Sequence, residues 1–325
     1  MTDRAGDESV LRLGEAPEPA LGVGALRIAV AATAINRADL LQRQGLYPPP
    51  PDASPILGLE CAGTVREVGA GVSGWRVGDR VMALLSGGGY AEEVVVDAGS
   101  VMPVPASLSL EQAAALPEVF LTAYLNLFEL GGLEAGGSAL VHGGGSGVGT
   151  AAIQLCRAAG AHVYVTAGSD AKCQRCRDLG ADLAVNYRSE SFAERVAEAS
   201  GGRGVDVVLD PIGASYLADN LASLAIGGRL VLIGLMGGAK AELSLAALLA
   251  RRLSIIGSTL RSRPVEQKAA IIAGFRRRFG PDLEAGRIRP VVDRVLPLDA
   301  VAEAHRVMKA SEHFGKIVLR VGSEP

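Results

Sequence analysis

Between residues 138 and 256 the chain alternates six short apolar runs with spacers of helix length. The runs fall at 139–141, 162–166, 183–187, 205–210, 228–233 and 253–256. Strands covered on both faces need near-continuous apolar runs, and the covering helices fill the intervals. The pattern therefore predicts an α/β unit with a doubly wound parallel sheet. Helices are expected from Ala151, from Asp170 to Leu179 with Gly180 closing it, from Ser191, from Tyr216 to Leu224 and from Leu243 to Ala250.

The first run ends in Gly143-Gly-Gly-Ser-Gly-Val-Gly149 and a helix follows at once. A strand, a tight glycine turn and a helix N-terminus together cradle a dinucleotide pyrophosphate, because backbone N–H groups approach the phosphates at the positive end of the helix dipole. Read as Gly144-x-Ser146-x-x-Gly149, the fingerprint carries serine where the middle glycine belongs. Ser146, Gly147 and Val148 are expected to present backbone to the pyrophosphate. An NAD site places a carboxylate about twenty residues beyond the turn; here that place holds Ala167-Gly168-Ser169. Gly168, Ser169, Lys172 and Tyr187 are accordingly expected at a ribose 2′-phosphate, which makes NADP(H) the expected coenzyme. Asp170 reads as a helix N-cap, and Lys172 fits equally an ordinary solvated lysine. Ligands gather at the carboxyl ends of such strands, so Ile212, Gly213 and Leu235-Met236-Gly237 are expected over the adenine and nicotinamide riboses.

Residues 1–117 follow a different pattern: β-rich pieces at 26–32, 61–68, 79–84 and 91–96 separated by glycine turns, which suggests a partly open barrel. Pro117 is expected to interrupt a helical stretch that resumes at Val119 and ends at Gly131-Gly132. Strands at 291–296 and 316–320 and a helix from Asp299 to Ala310 return the tail to this first domain. The division expected is 1–117 with 262–325 around a dinucleotide domain at 118–261, with the ligand cleft between them. A formal net charge of −3 and the absence of a basic block disfavour nucleic acid. No apolar run is long enough for a membrane span, and the polar opening is no signal peptide, so a cytoplasmic protein is expected. Cys61, Cys156, Cys173 and Cys176 are too scattered for a disulfide framework, and the Cys173-x-x-Cys176 pair falls inside a predicted helix with no companions for a metal. His142 beside the phosphate turn has no partner visible in sequence. Arg37 and Arg43 read as solvated surface charges, and Asp39 as a helix-capping residue.

Several segments together resemble a known family over nearly the whole length. They are Asn36-Arg-Ala-Asp-Leu-Leu-Gln-Arg-Gln-Gly45 with Tyr47, Leu57-Gly-Leu-Glu-Cys-Ala-Gly63, Gly71-Val-Ser-Gly-Trp-Arg-Val-Gly-Asp-Arg-Val81, Ala114-Ala-Leu-Pro117, Leu121-Thr-Ala-Tyr124, the glycine turn, Gly234-Leu-Met-Gly-Gly238 and Gly315-Lys-Ile-Val-Leu319. The chain resembles the zinc-independent quinone oxidoreductases of the zeta-crystallin type in the medium-chain dehydrogenase/reductase superfamily, and within them the tumour-suppressor-inducible branch. The resemblance implies a Rossmann domain inserted in a GroES-like barrel domain. It implies Asn36 and Tyr47 beside the nicotinamide as the catalytic pair, with Thr122 near the carboxamide. Leu260 and Arg261 would close the nicotinamide pocket, and Lys316 would either reach across from the barrel or remain a plain surface lysine. Where the family's alcohol dehydrogenases carry Gly-His-Glu this chain has Gly58-Leu59-Glu60, and Asn36 stands near their early cysteine, so no metal is expected. The function expected is NADPH-dependent, metal-free reduction of a quinone or similar electron-poor acceptor. An enoyl reductase acting on an activated C=C is the alternative, and a non-catalytic NADPH-binding protein the second. The apolar run at 253–258, at a sheet edge, suggests a homodimer.

Overall fold

The computed structural model describes residues 5–322; Met1 to Arg4 of the polar opening, and residues 323–325, lie outside them. In chain order the elements are β1 (Ala25–Ala34), α1 (Arg37–Arg43), β2 (Glu60–Val68), β3 (Arg80–Leu84), β4 (Glu93–Asp97), β5 (Val101–Pro103), α2 (Leu110–Ala114) and α3 (Pro117–Tyr124). Then come β6 (Ser138–His142), α4 (Gly147–Ala158), β7 (His162–Ala167), α5 (Asp170–Leu179), β8 (Leu183–Asn186), α6 (Phe192–Ala199), β9 (Val205–Asp210), α7 (Leu217–Ser223), β10 (Leu224–Leu232), α8 (Leu245–Ala250) and β11 (Ser254–Gly257). The tail adds α9 (Val265–Glu284), β12 (Val292–Pro297), α10 (Val301–Ala310) and β13 (Lys316–Arg320). The chain divides into one unit of residues 1–121 with 260–325 and a second of residues 122–259.

In the second unit all six strands run parallel, in the order β11-β10-β9-β6-β7-β8. The chain winds outward from β6 through β7 to β8 and then returns to β9 on the other flank of β6. The carboxyl ends of β6 and β9 therefore flank the point where the winding reverses, the place where doubly wound sheets hold ligands. Leu140, Val185, Val205, Val208, Leu224 and Leu230 form the core between sheet and helices.

In the first unit β1 organises a seven-stranded sheet. It pairs antiparallel with β2 along its length, with β4 over Ala25–Ala29 and with β13 over Ala32–Ala34. Register shifts in the β1–β2 ladder bend the strand. Leu26, Ile28, Cys61, Val65, Val81 and Ala83 fill the barrel.

Three local expectations are corrected. The expected break falls just before Pro117, between α2 and α3, but the helix resumes at Pro117 itself, where the proline's missing N–H would have no helical partner anyway, rather than at Val119. The helix then widens into a π-helical turn over Leu125–Leu130, closed by the Gly131 N–H on the Asn126 carbonyl. Ser169, not Asp170, caps α5: its hydroxyl accepts the Lys172 N–H, while Asp170 accepts from the Asn186 amide at 2.8 Å. Residues 265–284, where no element was expected, form α9. Lys268, Ile271, Phe275, Phe279 and Leu283 share its buried face, and Phe275 meets Phe120 of α3 edge-on.

Candidate active site

Behind β6 the turn folds back on itself: Gly144 N–H donates to the Thr166 carbonyl and Ser146 N–H to that of Gly143, both at 2.8 Å. A Cβ at Gly149 would lie 2.3 Å from the Gly143 oxygen, so only glycine lets the helix start this close to the turn. Ser146, the departure from the fingerprint, is the N-cap of α4 and its hydroxyl accepts the Gly149 N–H at 3.0 Å. That leaves the first-turn N–H groups of Gly147 and Val148 directed out of the helix end, a cradle suited to a pyrophosphate.

His142 has partners that sequence could not show. Its Nδ1 lies 3.1 Å from the Thr166 hydroxyl and its Nε2 2.6 Å from Asn220 Oδ1. The Asn220 amide donates to Asp210, whose carboxylate also accepts the N–H groups of Ile212 and Gly213. These partners fix the tautomer: Nε2 carries the proton and Nδ1 accepts from Thr166. Burial pushes the imidazole down to about 4, with the Asn220 bond opposing, so the ring is neutral at pH 7. The network ties the glycine turn to the turn after β9. That turn is joined in turn to residues 235–238 by Gly237 N–H on the Ile212 carbonyl and Ala214 N–H on that of Gly238. Leu235 and Met236 stand exposed on its rim.

At the ends of β7 and β8 the structure brings together Gly168, Ser169, Lys172 and Tyr187. A Cβ on Gly168 would lie 2.7 Å from the Tyr187 hydroxyl, and that ring is 43% exposed. Cys173 and Cys176 are buried in α5; burial raises both thiols, that of Cys176 to about 12. Thr122 lies in α3, its carbonyl accepting the Asn126 amide.

The first unit holds a second polar group of side chains, nearly all buried. Asn36, just before α1, donates its amide to Glu60 Oε1 at 2.8 Å and accepts from the Lys316 ammonium at 2.7 Å. Lys316 also bonds the Ile35 carbonyl at 2.8 Å and pairs with Glu60 Oε1 at 2.7 Å. It is 2% exposed, which overturns the surface-lysine reading: all its donors are engaged within its own unit. Glu60 Oε2 accepts the Glu118 N–H. Asp39 accepts the N–H groups of Asn36 and Gly58 and the Tyr90 hydroxyl, and burial lifts its carboxyl to about 6. Arg43 is buried, not solvated: it contacts His305 Nδ1 at 3.1 Å and donates to the Gly6 carbonyl. Arg37 likewise reaches the Met308 carbonyl.

Tyr47, half-buried, lies under the Arg261 guanidinium, 5.4 Å from the ring centroid. Arg261 is held by the Ser86 carbonyl at 2.8 Å and by Gln42 at 2.7 Å, and Leu260 before it is buried. Lys268 donates to the Ser86 hydroxyl. Burial, then the Glu118 carboxyl, raise the Tyr47 phenol, and Arg261 opposes them. The structure thus gathers Asn36 and Lys316 in one cluster and Tyr47 and Arg261 in another. Glu118 and Lys268 carried no sequence signal. An acid just after a helix-starting proline reads as dipole compensation, and a lysine in an unassigned segment reads as solvated.

Residues 22–106 match the family model of the alcohol dehydrogenase GroES-like domain, and residues 147–273 that of the zinc-binding dehydrogenase. The human synaptic vesicle membrane protein VAT-1 homolog is 34% identical over 332 residues, covering 98% of this chain and 84% of that protein. Two mycobacterial structures, one a complex with NADPH and one a quinone oxidoreductase, are each 31% identical over 98% of both chains, with TM-scores of 0.87 and 0.84. The CurK enoyl reductase is 29% identical with a TM-score of 0.86, covering 99% of this chain and 98% of that one. The chain belongs to the medium-chain dehydrogenase/reductase superfamily, as an oxidoreductase of its zeta-crystallin-like, quinone-oxidoreductase-like type. The zinc in the second family description does not fit this donor set. Leu59 is apolar and packed in the core, the Asn36 side chain is taken by Glu60 and Lys316, and among the described residues no three His, Cys, Asp or Glu are grouped to hold an ion. No helix among the described residues is long and apolar enough to cross a membrane.

Proposed function

We propose that the chain uses NADPH to reduce quinones and similar electron-poor acceptors without a metal. The observation that carries this reading is the fixed Tyr47–Arg261 pair, which offers a phenol donor to an acceptor oxygen with a buried cation behind it. NADPH when bound supplies the hydride. Ser146, Gly147 and Val148 hold its pyrophosphate, and the carboxylate-free Gly168-Ser169 corner with Lys172 and Tyr187 receives the 2′-phosphate. The turns at Ile212-Gly213 and 235–237 cover the riboses, while Thr122 and Asn36 position the nicotinamide. The Tyr47 hydroxyl hydrogen-bonds the acceptor oxygen and offsets the charge that gathers there. This site recruits neither a Lewis acid nor a metal hydroxide, so it suits acceptors that are already electrophilic.

Steady-state oxidation of NADPH and NADH across a panel of quinones and enones tests the proposal. Tyr47→Phe is expected to lower kcat for a quinone on the order of 10²-fold while the NADPH Kd holds. Equal turnover by that variant removes Tyr47 from the reaction, and equal use of NADH removes the phosphate corner. The likeness to an enoyl reductase supports a second reading, reduction of an activated C=C; faster turnover of a 2-enoyl thioester than of any quinone would favour it.

Two further features belong to the same reading. β11 lies at the sheet edge, and Leu245 and Leu249 of neighbouring α8 are 69% and 81% exposed; pairing with a second copy would cover both. Sedimentation of a monomer at micromolar concentration would refute the dimer. All four cysteines are buried thiols outside any disulfide, in keeping with a reducing cytoplasm.

A further inference from the structure

The carboxyl of Glu118 is anomalous for its place in the chain. An acid in the first turn of a helix normally faces water and offsets the helix dipole. Here the Glu118 N–H is taken by Glu60 Oε2 at 2.9 Å, and its own Oε2 is shielded from solvent with no hydrogen-bond partner. The nearby cations make their hydrogen bonds elsewhere. Lys316 bonds Ile35, Asn36 and Glu60; Lys268 bonds the Ser86 hydroxyl; Arg261 bonds Ser86 and Gln42. A carboxylate oxygen in that setting would be a shielded charge without a donor, whereas a carboxylic acid avoids that cost.

From this geometry we propose that Glu118 is the proton donor of the reduction, a role that rests on the reductase reading above. The residue as a whole is partly exposed, so a proton given away can be replaced from water. When ionised it raises the Tyr47 phenol, the group proposed for the acceptor oxygen, so the two lie within electrostatic range of each other. It also sits one helical turn before Thr122 on α3, the interval that puts two side chains on one face. Bound NADPH would supply the electron pair as hydride, which would leave negative charge on the acceptor oxygen. The O–H bond of Glu118 then breaks as an O–H bond forms on the acceptor, or a C–H bond in an enone. The carboxylate recovers its proton from solvent.

The groups around Glu118 favour the acid form at neutral pH. Burial contributes most, and Glu60 on β2 and Asp39 on α1 add like charge, while Lys316 on β13 and Lys268 on α9 oppose them. The balance lifts the carboxyl to about 8. A donor that loses its proton near that pH gives kcat an alkaline limb there.

The test uses the full chain as wild type, Glu118→Gln and Glu118→Asp, with NADPH and a 1,4-naphthoquinone. Carbon NMR of glutamate-labelled protein, without coenzyme or acceptor, is expected to show one carboxyl titrating near pH 8 that is missing in Glu118→Gln. In turnover Glu118→Gln should lower kcat on the order of 10²-fold and lose the alkaline limb. Its NADPH Kd should stay within about twofold, and Glu118→Asp should restore the limb. Retention of the limb and of kcat by Glu118→Gln overturns the donor role alone, as does a wild type with no glutamate titrating above pH 6. A wild type that fails to oxidise NADPH with any quinone or enone of the panel overturns the reductase reading and the donor role with it.

Discussion

The polar network inside the parallel-sheet unit is neutral along most of its length, whereas the one in the barrel unit is built from charges. Thr166, His142 and Asn220 pass hydrogen bonds in one direction to a single carboxylate, Asp210, which two backbone N–H groups also satisfy. Glu60, Asp39, Lys316 and Arg43 are instead buried charges, and the partly exposed Glu118 beside Glu60 is left with a shielded oxygen that nothing satisfies. A satisfied neutral network fixes the geometry of turns and has little reason to change protonation. A charged one with an unmatched member is poised to move a proton. The contrast separates a unit whose polar network is neutral and satisfied from a unit whose polar network is charged and incompletely matched.

The strongest way to break the contrast is to remove the cation. Lys316→Met leaves the buried Glu60 carboxylate without its counter-ion and Asn36 and Ile35 without a donor. It is expected to cost about 3–5 kcal/mol in chemical denaturation. A loss below about 1 kcal/mol would mean that solvent already shares that site. The matching change in the other unit, His142→Leu, keeps the packing volume against Phe192 and Tyr216 but strands Asn220 Oδ1. Its expected cost is smaller, about 1–3 kcal/mol.

These two residues also show how much could be read from the chain alone. The βα alternation and the glycine turn are local patterns, written in contiguous residues, and each stood where it was expected. Arg43 looked like a solvated charge because a lone basic residue usually is one, and Lys316 was expected either to reach across from the barrel or to stay at the surface. Their partners, Glu60, Ile35 and His305, come from segments more than 250 residues away in sequence, and no local pattern encodes such a meeting. The helix α9 was missed for a related reason: Arg276-Arg277-Arg278 and Gly280-Pro281 interrupt its apolar rhythm, while Phe275 and Phe279 are buried only because α3 and the rest of the unit are there.

Changing pH should act oppositely on the two networks. Asp39 and Glu118 have carboxyls raised by burial, to about 6 and about 8. The folded barrel unit therefore holds protons that the unfolded chain releases. Stability from this source is complete below the ordinary carboxylate range and is lost as pH rises through 6 and then 8. His142 is lowered to about 4, so its contribution is present above the ordinary imidazole value and is lost as pH falls toward 4. Burial, and then Arg43, lower His305 in the barrel unit as well, which adds an acid limb there. Hydrogen exchange resolved by segment is expected to show alkaline loosening at 36–60 and 118 but none at 140–166 below pH 9. Alkaline loosening confined to the parallel-sheet unit would reverse the assignment.

The finest test compares two glycines, Gly144 just after β6 and Gly168 just after β7. A Cβ at Gly144 would lie 2.7 Å from Val165 Cβ and 3.0 Å from the Cys176 sulfur, all of it packed core. Gly144→Ala should cost about 1–3 kcal/mol because nothing there can give way. The nearest atoms to a Cβ at Gly168 belong to Tyr187, closest at its hydroxyl, and that exposed ring can swing aside. Gly168→Ala is therefore expected to leave the melting temperature unchanged within error. If Tyr187 borders the 2′-phosphate, displacing it weakens NADPH several-fold in a nicotinamide fluorescence titration and leaves NADH alone, since NADH carries no phosphate for the corner to recognise. Equal weakening of both coenzymes would place the disturbance at the ribose common to them, and no change in either would remove Tyr187 from the coenzyme site.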